Sequence, residues 1–136
     1  YHFFIADATG DYAIVEYVYD NPAFSGRPNM MQVLSGNDTL RCVTNFYVSP
    51  LMKSHPEGGL TDHGRWRYDK MRETLKLNAY KLTTEQAMQL LGDVATDVDI
   101  NEPTSHTQWS SLYNLSSRTL DVAILKEYNK VSHFTF

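Results

Sequence analysis

Two apolar, aromatic-rich runs at the start of the chain are separated by only four residues. The runs are residues 1–7 and 12–18, and the link between them, residues 8–11, contains Gly10 and Asp11. β-Branched and aromatic residues favour strands, and a short link with Gly and Asp favours a turn. The pattern predicts a β-hairpin over residues 1–18, so an antiparallel sheet must be part of the fold.

The chain begins inside the first strand of this hairpin, without an initiator Met. A natural start usually carries a few loose residues before the first strand. We therefore expect residues 1–136 to be a fragment of a larger protein, folded as a single domain, with part of its functional residues elsewhere.

The segment after the hairpin is predicted to contain two further strands and a loop. Residues 31–34 form a short apolar run, and residues 40–46 place apolar side chains at positions 40, 42 and 46 in alternation. Residues 47–64 contain two Pro and three Gly, which is typical of a long surface loop.

Two helices are predicted next. The first covers about residues 62–77, with Asp62 as its N-cap. The second covers about residues 84–95, because Thr83 and Gln86 have the spacing of a capping box.

A second hairpin is predicted over residues 108–125, followed by a tail with an edge strand near its end. The order strands, helices, strands indicates an α+β fold in layers. Five aromatic residues on these strands are predicted to lie in the core: Phe3, Phe4, Tyr17, Trp109 and Tyr113.

Composition excludes several classes of function. The net charge is −4 without a basic cluster, which argues against nucleic-acid binding. No apolar run is long enough to span a bilayer. The single Cys42 allows neither an internal disulfide nor a thiolate metal cluster, and this favours a reducing, cytoplasmic compartment.

Four segments, in order, resemble the cysteine N-terminal-nucleophile hydrolases. That family includes choloylglycine hydrolases, penicillin V acylases and isopenicillin N acyltransferase-like enzymes. The hairpin of residues 2–17 is similar to the family's first hairpin, and residues 42–46 are similar to its Thr-Asn strand. Residues 64–68 resemble its Gly-Arg helix start, and residues 109–115 its late Trp-Ser strand.

The resemblance implies a four-layer αββα fold and an amide-cleaving mechanism. An N-terminal Cys would attack the amide carbonyl, with its own α-amino group as the general base. Asn45 would donate to the oxyanion, and Arg65 would orient the surroundings of the nucleophile or a substrate anion. The register leaves Arg67 and Arg72 open as alternatives to Arg65.

The family's nucleophilic Cys is missing from this chain. Cys42 cannot replace it, because it is internal and has no free amine. We therefore expect the C-terminal part of such an enzyme, inactive alone, and needing the N-terminal half of the same protein. The implied substrate is a small linear amide: an N-acyl amino acid, a bile-salt conjugate or a penicillin-type amide. The resemblance implies no metal or organic cofactor, and no nucleic-acid or membrane partner.

Several alternatives stay open at this point. The fold could serve an acyltransferase, a hydrolase of another class, or a non-catalytic binding or assembly domain that uses an exposed sheet edge. Homo-oligomer formation is also open. Asn45 could be a turn residue and Arg65 a solvated one. Glu16 is interpreted as a paired strand residue, Cys42 as a buried hydrophobe, and His55 and His63 as surface residues rather than metal ligands.

Overall fold

Six strands and three helices lie in the residues that the computed structural model describes, which are 2–19, 26, 29–35, 42–53 and 64–136. The chain is an α+β protein with two antiparallel three-stranded sheets. It divides into two compact units, the first ending at Arg72 and the second covering Glu73–Phe136.

The predicted first hairpin is confirmed. Strand β1 covers His2–Ala6, β2 covers Tyr12–Val18, and β3 covers Met30–Ser35, with β2 in the centre of the sheet. The Asp7 carboxylate organises the turn, because it accepts bonds from Thr9 and from the Asp11 N–H. The Thr9 hydroxyl bond is the largest cause that lowers the pKa of Asp7.

The two faces of this first sheet differ in burial. On the central strand, Ile14, Glu16 and Val18 are buried, and Val18 packs with Tyr47 and Met30. The opposite face is apolar but exposed. Residues of this face lie beside one another on neighbouring strands. Four of them are more than half exposed: Phe3, Ile5, Met31 and Val33.

The predicted strand over residues 40–46 is wrong where the structure describes it. Residues 42–46 form no strand, although the predicted alternation is present, with Cys42, Thr44 and Phe46 buried. The physical reason is that hydrogen bonds involving side chains, rather than a strand ladder, hold this segment against the rest of the first unit. The Thr44 hydroxyl donates to the Gly64 carbonyl, and the Glu16 carboxylate accepts the N–H groups that follow, those of Val48 and Ser49.

The predicted surface loop over residues 47–64 also needs correction. Tyr47, Val48 and Ser49 are buried, and a short helix, α1, covers Pro50–Lys53. Residues 54–63, including the predicted N-cap Asp62 and both His55 and His63, lie outside the described residues.

Helix α2 covers Arg65–Leu77 and ends at the predicted residue. It begins later than predicted, because Gly64 has a φ of +82° and cannot belong to a right-handed helix. Tyr68 is buried, whereas Trp66 is 55% exposed.

Helix α3 covers Thr84–Asp93, and the predicted capping box of Thr83 and Gln86 is present. The second hairpin is confirmed as β4, Trp109–Asn114, and β5, Thr119–Ile124. The predicted edge strand is β6, Ser132–Thr135, paired with β5.

The second sheet also has one buried and one exposed face. Ser110 and Ala123 are buried, and the Tyr128 hydroxyl links Ser110 to the Leu91 carbonyl of α3. On the other face, Trp109 and Tyr113 are 65% and 58% exposed. The prediction that these two residues and Phe3 and Phe4 form core is therefore wrong for the described residues. Phe3, Trp109 and Tyr113 lie on the uncovered faces, and Phe4 lies on the edge strand β1.

Candidate functional site

Asn45 lies at a bend between two buried residues, Thr44 and Phe46, and its own side chain is exposed. The bend therefore presents the Asn45 amide at the surface of the first unit while its two neighbours anchor the backbone.

Gly64 connects this bend to the start of α2. Its carbonyl accepts the first helical bond from the Tyr68 N–H at 3.0 Å and a second bond from the Thr44 hydroxyl at 3.1 Å. A Cβ at this position would lie only 3.3 Å from the Asn45 backbone nitrogen. A Cβ would therefore be crowded against the Asn45 backbone, and the positive φ independently favours glycine.

Arg67 forms a hydrogen bond with the side chain of Asn45, from the guanidinium Nη2 to the amide Oδ1. A guanidinium has donors only, so the amide atom that faces it must be the oxygen. The orientation of the Asn45 amide is thereby fixed, with its NH₂ group on the branch opposite the bonded oxygen. A cation on the oxygen also polarises the amide and strengthens its N–H groups as donors.

Arg65 is oriented differently from Arg67. Its guanidinium carbon lies 4.1 Å from the centre of the Phe46 ring, which is a cation–π contact. Phe46 in turn meets the Tyr68 ring edge-to-face at 5.0 Å. The three arginines left open by the sequence have different contacts: Arg67 bonds to the Asn45 amide, Arg65 covers the ring beside it, and Arg72 lies 5.5 Å from the centre of the Tyr68 ring. The catalytic role of Arg65 stays a prediction.

The structure corrects the interpretation of Glu16 as an ordinary paired strand residue. Its side chain is 0% exposed, and its carboxylate accepts the Val48 N–H at 2.5 Å and the Ser49 N–H at 3.0 Å. One signal could have found this role, because Glu16 is a single acid between Ile14 and Val18 on the buried face of β2. A buried carboxylate needs donors.

His2 lies opposite Glu16 in the strand register. Burial is the largest cause that shifts the pKa of His2, and it lowers that pKa, while the negative charge of Glu16 opposes the shift. His2 is therefore favoured in its neutral form at neutral pH.

Cys42 is buried, as predicted from the sequence. It is 7% exposed, and burial, the largest cause, raises its pKa from 9.0 to about 11, while Arg72 lowers it and Asp69 raises it further. The reactive species of a cysteine is the thiolate, so this thiol is unsuited to nucleophilic attack at neutral pH.

The second unit contains a cleft of about 320 Å³ beside α3 and the strands β5 and β6. In its wall the His133 Nδ1 lies 2.5 Å from an Asp121 carboxylate oxygen. Across the described ranges, no cluster of three or more His, Cys, Asp or Glu residues has a geometry that could hold a metal ion. No helix in the same ranges is long and apolar enough to cross a bilayer.

No family model, curated protein or solved structure matches this chain.

We predict that Gly64→Ala lowers the free energy of unfolding by about 2–5 kcal/mol, because left-handed backbone strain adds to crowding against Asn45. Urea denaturation followed by circular dichroism measures the change. Gly10→Ala is the matched control, since Gly10 has a φ of +93° but no atom within 4 Å of the added Cβ. Equal losses in the two variants would contradict the crowding at Gly64.

We predict that Cys42 resists alkylation at pH 8 in the folded protein and reacts at once in denaturant. Because folding raises its pKa, the stabilising contribution is complete below pH 9 and is lost as the pH rises towards about 11. Wild-type stability should therefore fall relative to Cys42→Ala over that pH range, measured by urea denaturation. Rapid alkylation of the folded protein would contradict the burial of the thiol.

Proposed function

We propose that this chain is part of an N-terminal-nucleophile hydrolase that cleaves linear, non-peptide C–N amide bonds, with Asn45 as the oxyanion donor. The observation that carries the proposal is the bond from Arg67 to the Asn45 amide oxygen. That bond commits the amide oxygen of Asn45 to Arg67 and orients the NH₂ branch on the other side of the amide. An oriented amide donor is what an oxyanion site requires.

The mechanism would proceed through an acyl-enzyme. The thiol of an N-terminal Cys gives its proton to its own α-amino group, and the sulfur bonds to the amide carbonyl carbon. The Asn45 N–H groups stabilise the negative oxygen while the C–N bond breaks and the amine leaves with the proton. Water then hydrolyses the thioester. If an amine attacks in place of water, a new amide forms, so an added acceptor amine distinguishes acyltransferase from hydrolase activity.

The roles of the arginines follow from their contacts. Arg67 acts as a positioning residue, because it touches the Asn45 amide rather than the reacting atoms. Arg65, which the family resemblance selects, would act through its charge near the same bend while its guanidinium covers Phe46. The substrate class is a small amide such as an N-acyl amino acid, a bile-salt conjugate or a penicillin-type amide.

The exposed sheet faces support the four-layer αββα arrangement. A sheet in such a sandwich is covered on both faces, and its strands are apolar on both. In this chain each sheet carries one apolar face that is exposed, with Phe3 and Val33 on the first and Trp109 and Tyr113 on the second. Exposed apolar surface of this kind is typical of faces that another layer covers.

We predict that the mature protein, as its source produces it, begins with a Cys that lies outside these 136 residues. Cys42 cannot be that nucleophile, because it is internal and its thiol is buried. Intact mass and N-terminal sequencing of the purified natural protein test this. A mature chain without an N-terminal Cys, and without a partner chain that begins with Cys, would refute the proposal.

We predict that Asn45→Ala in the full-length protein lowers kcat by about 10²–10³, because one oxyanion donor is lost. Amine release from the three amide classes is the assay, and circular dichroism checks that folding is retained. Asn101→Ala is the control, since Asn101 is an exposed residue of a connection in the second unit.

Two further variants separate the arginines in the same assay. Arg67→Lys keeps the charge but loses the planar fork, so kcat should fall by about tenfold through a displaced Asn45. Arg65→Lys should retain more of the activity. Turnover by Asn45→Ala equal to wild type would remove Asn45 from the mechanism, and a larger loss for Arg65→Lys would favour Arg65 as the catalytic arginine.

A further inference from the structure

Among the described residues of the first unit, Glu16 is the most buried charged side chain, and the proposed mechanism leaves it without a role. It is 0% exposed and occupies the central strand β2, between the buried Ile14 and Val18. Burying an ionised carboxylate is costly unless hydrogen bonds compensate for the lost water. Its position on the core face therefore requires a specific set of donors.

The donors are two consecutive backbone amides of the segment that carries Asn45. Val48 N–H donates to Glu16 Oε1 at 2.5 Å, and Ser49 N–H donates to Oε2 at 3.0 Å. Both residues are buried, so each N–H needs an acceptor inside the protein. A carboxylate is suited to this task because both of its oxygens accept, whereas an amide side chain supplies one acceptor and one donor.

A third bond joins the same two parts of the chain. The Tyr47 hydroxyl donates to the Tyr17 carbonyl at 3.2 Å, and the Tyr47 ring packs on Val18. Residues 47–49 are thus bound to β2 through side chains. On the other side of Asn45, Thr44 is bound to Gly64. The bend that presents Asn45 is therefore attached at both ends, and Glu16 supplies two of the bonds at the second end.

We infer that Glu16 is a positioning residue, which holds the Asn45 amide in place for the oxyanion by fixing the backbone of Val48 and Ser49. The inference rests on the proposed function, because it assigns Glu16 a part in that reaction. Glu16 bonds to the backbone three and four residues after Asn45 and acts on the Asn45 amide through that backbone.

Glu16→Gln in the full-length protein tests the inference. Gln has nearly the same shape, but its NH₂ group would face one of the two backbone N–H groups. We expect kcat to fall by about ten- to hundredfold, as for a small misplacement of a catalytic group. KM should stay unchanged, because the oxyanion contact is made only in the transition state. Rates are expressed per active site, counted by burst titration, so that a loss of folded protein does not lower kcat.

A second readout is independent of activity. In protein labelled with ¹⁵N-asparagine, the side-chain NH₂ signals of Asn45 are identified by their absence in Asn45→Ala. Glu16→Gln should shift these signals, and the matched control Glu73→Gln, an exposed glutamate of α2, should not. A role confined to stability would lower the melting temperature without moving the signals or kcat.

The outcomes separate the two proposals. Reduced kcat with shifted Asn45 signals supports the inference, and wild-type kcat in Glu16→Gln overturns it. If the wild-type protein cleaves no amide, the proposed function fails, and the signals alone decide: a shift supports positioning of Asn45 by Glu16, and unchanged signals refute it. If Glu16→Gln does not fold, Glu16→Asp replaces it, because it keeps the carboxylate and shortens the side chain by one methylene.

Discussion

The hydrogen bonds that two backbone amides donate to the buried Glu16 carboxylate are the constraint on which the rest of the first unit depends. The segment after Cys42 forms no strand within the described residues, so its buried N–H groups cannot be satisfied by a sheet ladder. Glu16 satisfies those of Val48 and Ser49 from the neighbouring strand β2. Removing one partner of such a buried set leaves polar groups unsatisfied, at a cost of about 1–3 kcal/mol for each group. The segment is therefore irregular in conformation but fixed in place.

The same attachment explains how an exposed side chain can be well oriented. In the proposed reaction, an exposed amide on a mobile loop would have to be ordered at each turnover, whereas a preorganised donor needs no such reorganisation. Asn45 is held by the bond of Thr44 to Gly64 before it, by Glu16 after it, and by Arg67 on its own oxygen. The supports come from β2 and from the start of α2, so the bend does not depend on its local sequence alone.

The sequence predicted the elements whose causes are local. Both hairpins depend on short turns, and the capping box of α3 depends on two residues three positions apart, so pattern reasoning found them. The strand predicted over residues 40–46 was wrong for the described residues 42–46, because that part of the chain is held by partners distant in sequence. Thr44 bonds to Gly64, and the amides of Val48 and Ser49 bond to Glu16, more than thirty residues away. The resemblance selected Asn45, but no local pattern showed which backbone amides the Glu16 carboxylate would bind, or that Gly64 lies against the Asn45 backbone.

The choice between Arg65 and Arg67 is a second feature of the site that the sequence could not predict. Residues two positions apart on a helix point to nearly opposite sides, so only one of the two can reach Asn45 while the other turns elsewhere. Which one does so depends on the rotation of α2 about its axis. Two contacts at the start of the helix set that rotation. Gly64, which precedes the helix with a positive φ, accepts a hydrogen bond from the Thr44 hydroxyl, and Phe46 packs on Tyr68. The helix start therefore selects the arginine, since a shift of one residue there would rotate both guanidinium groups by about 100°.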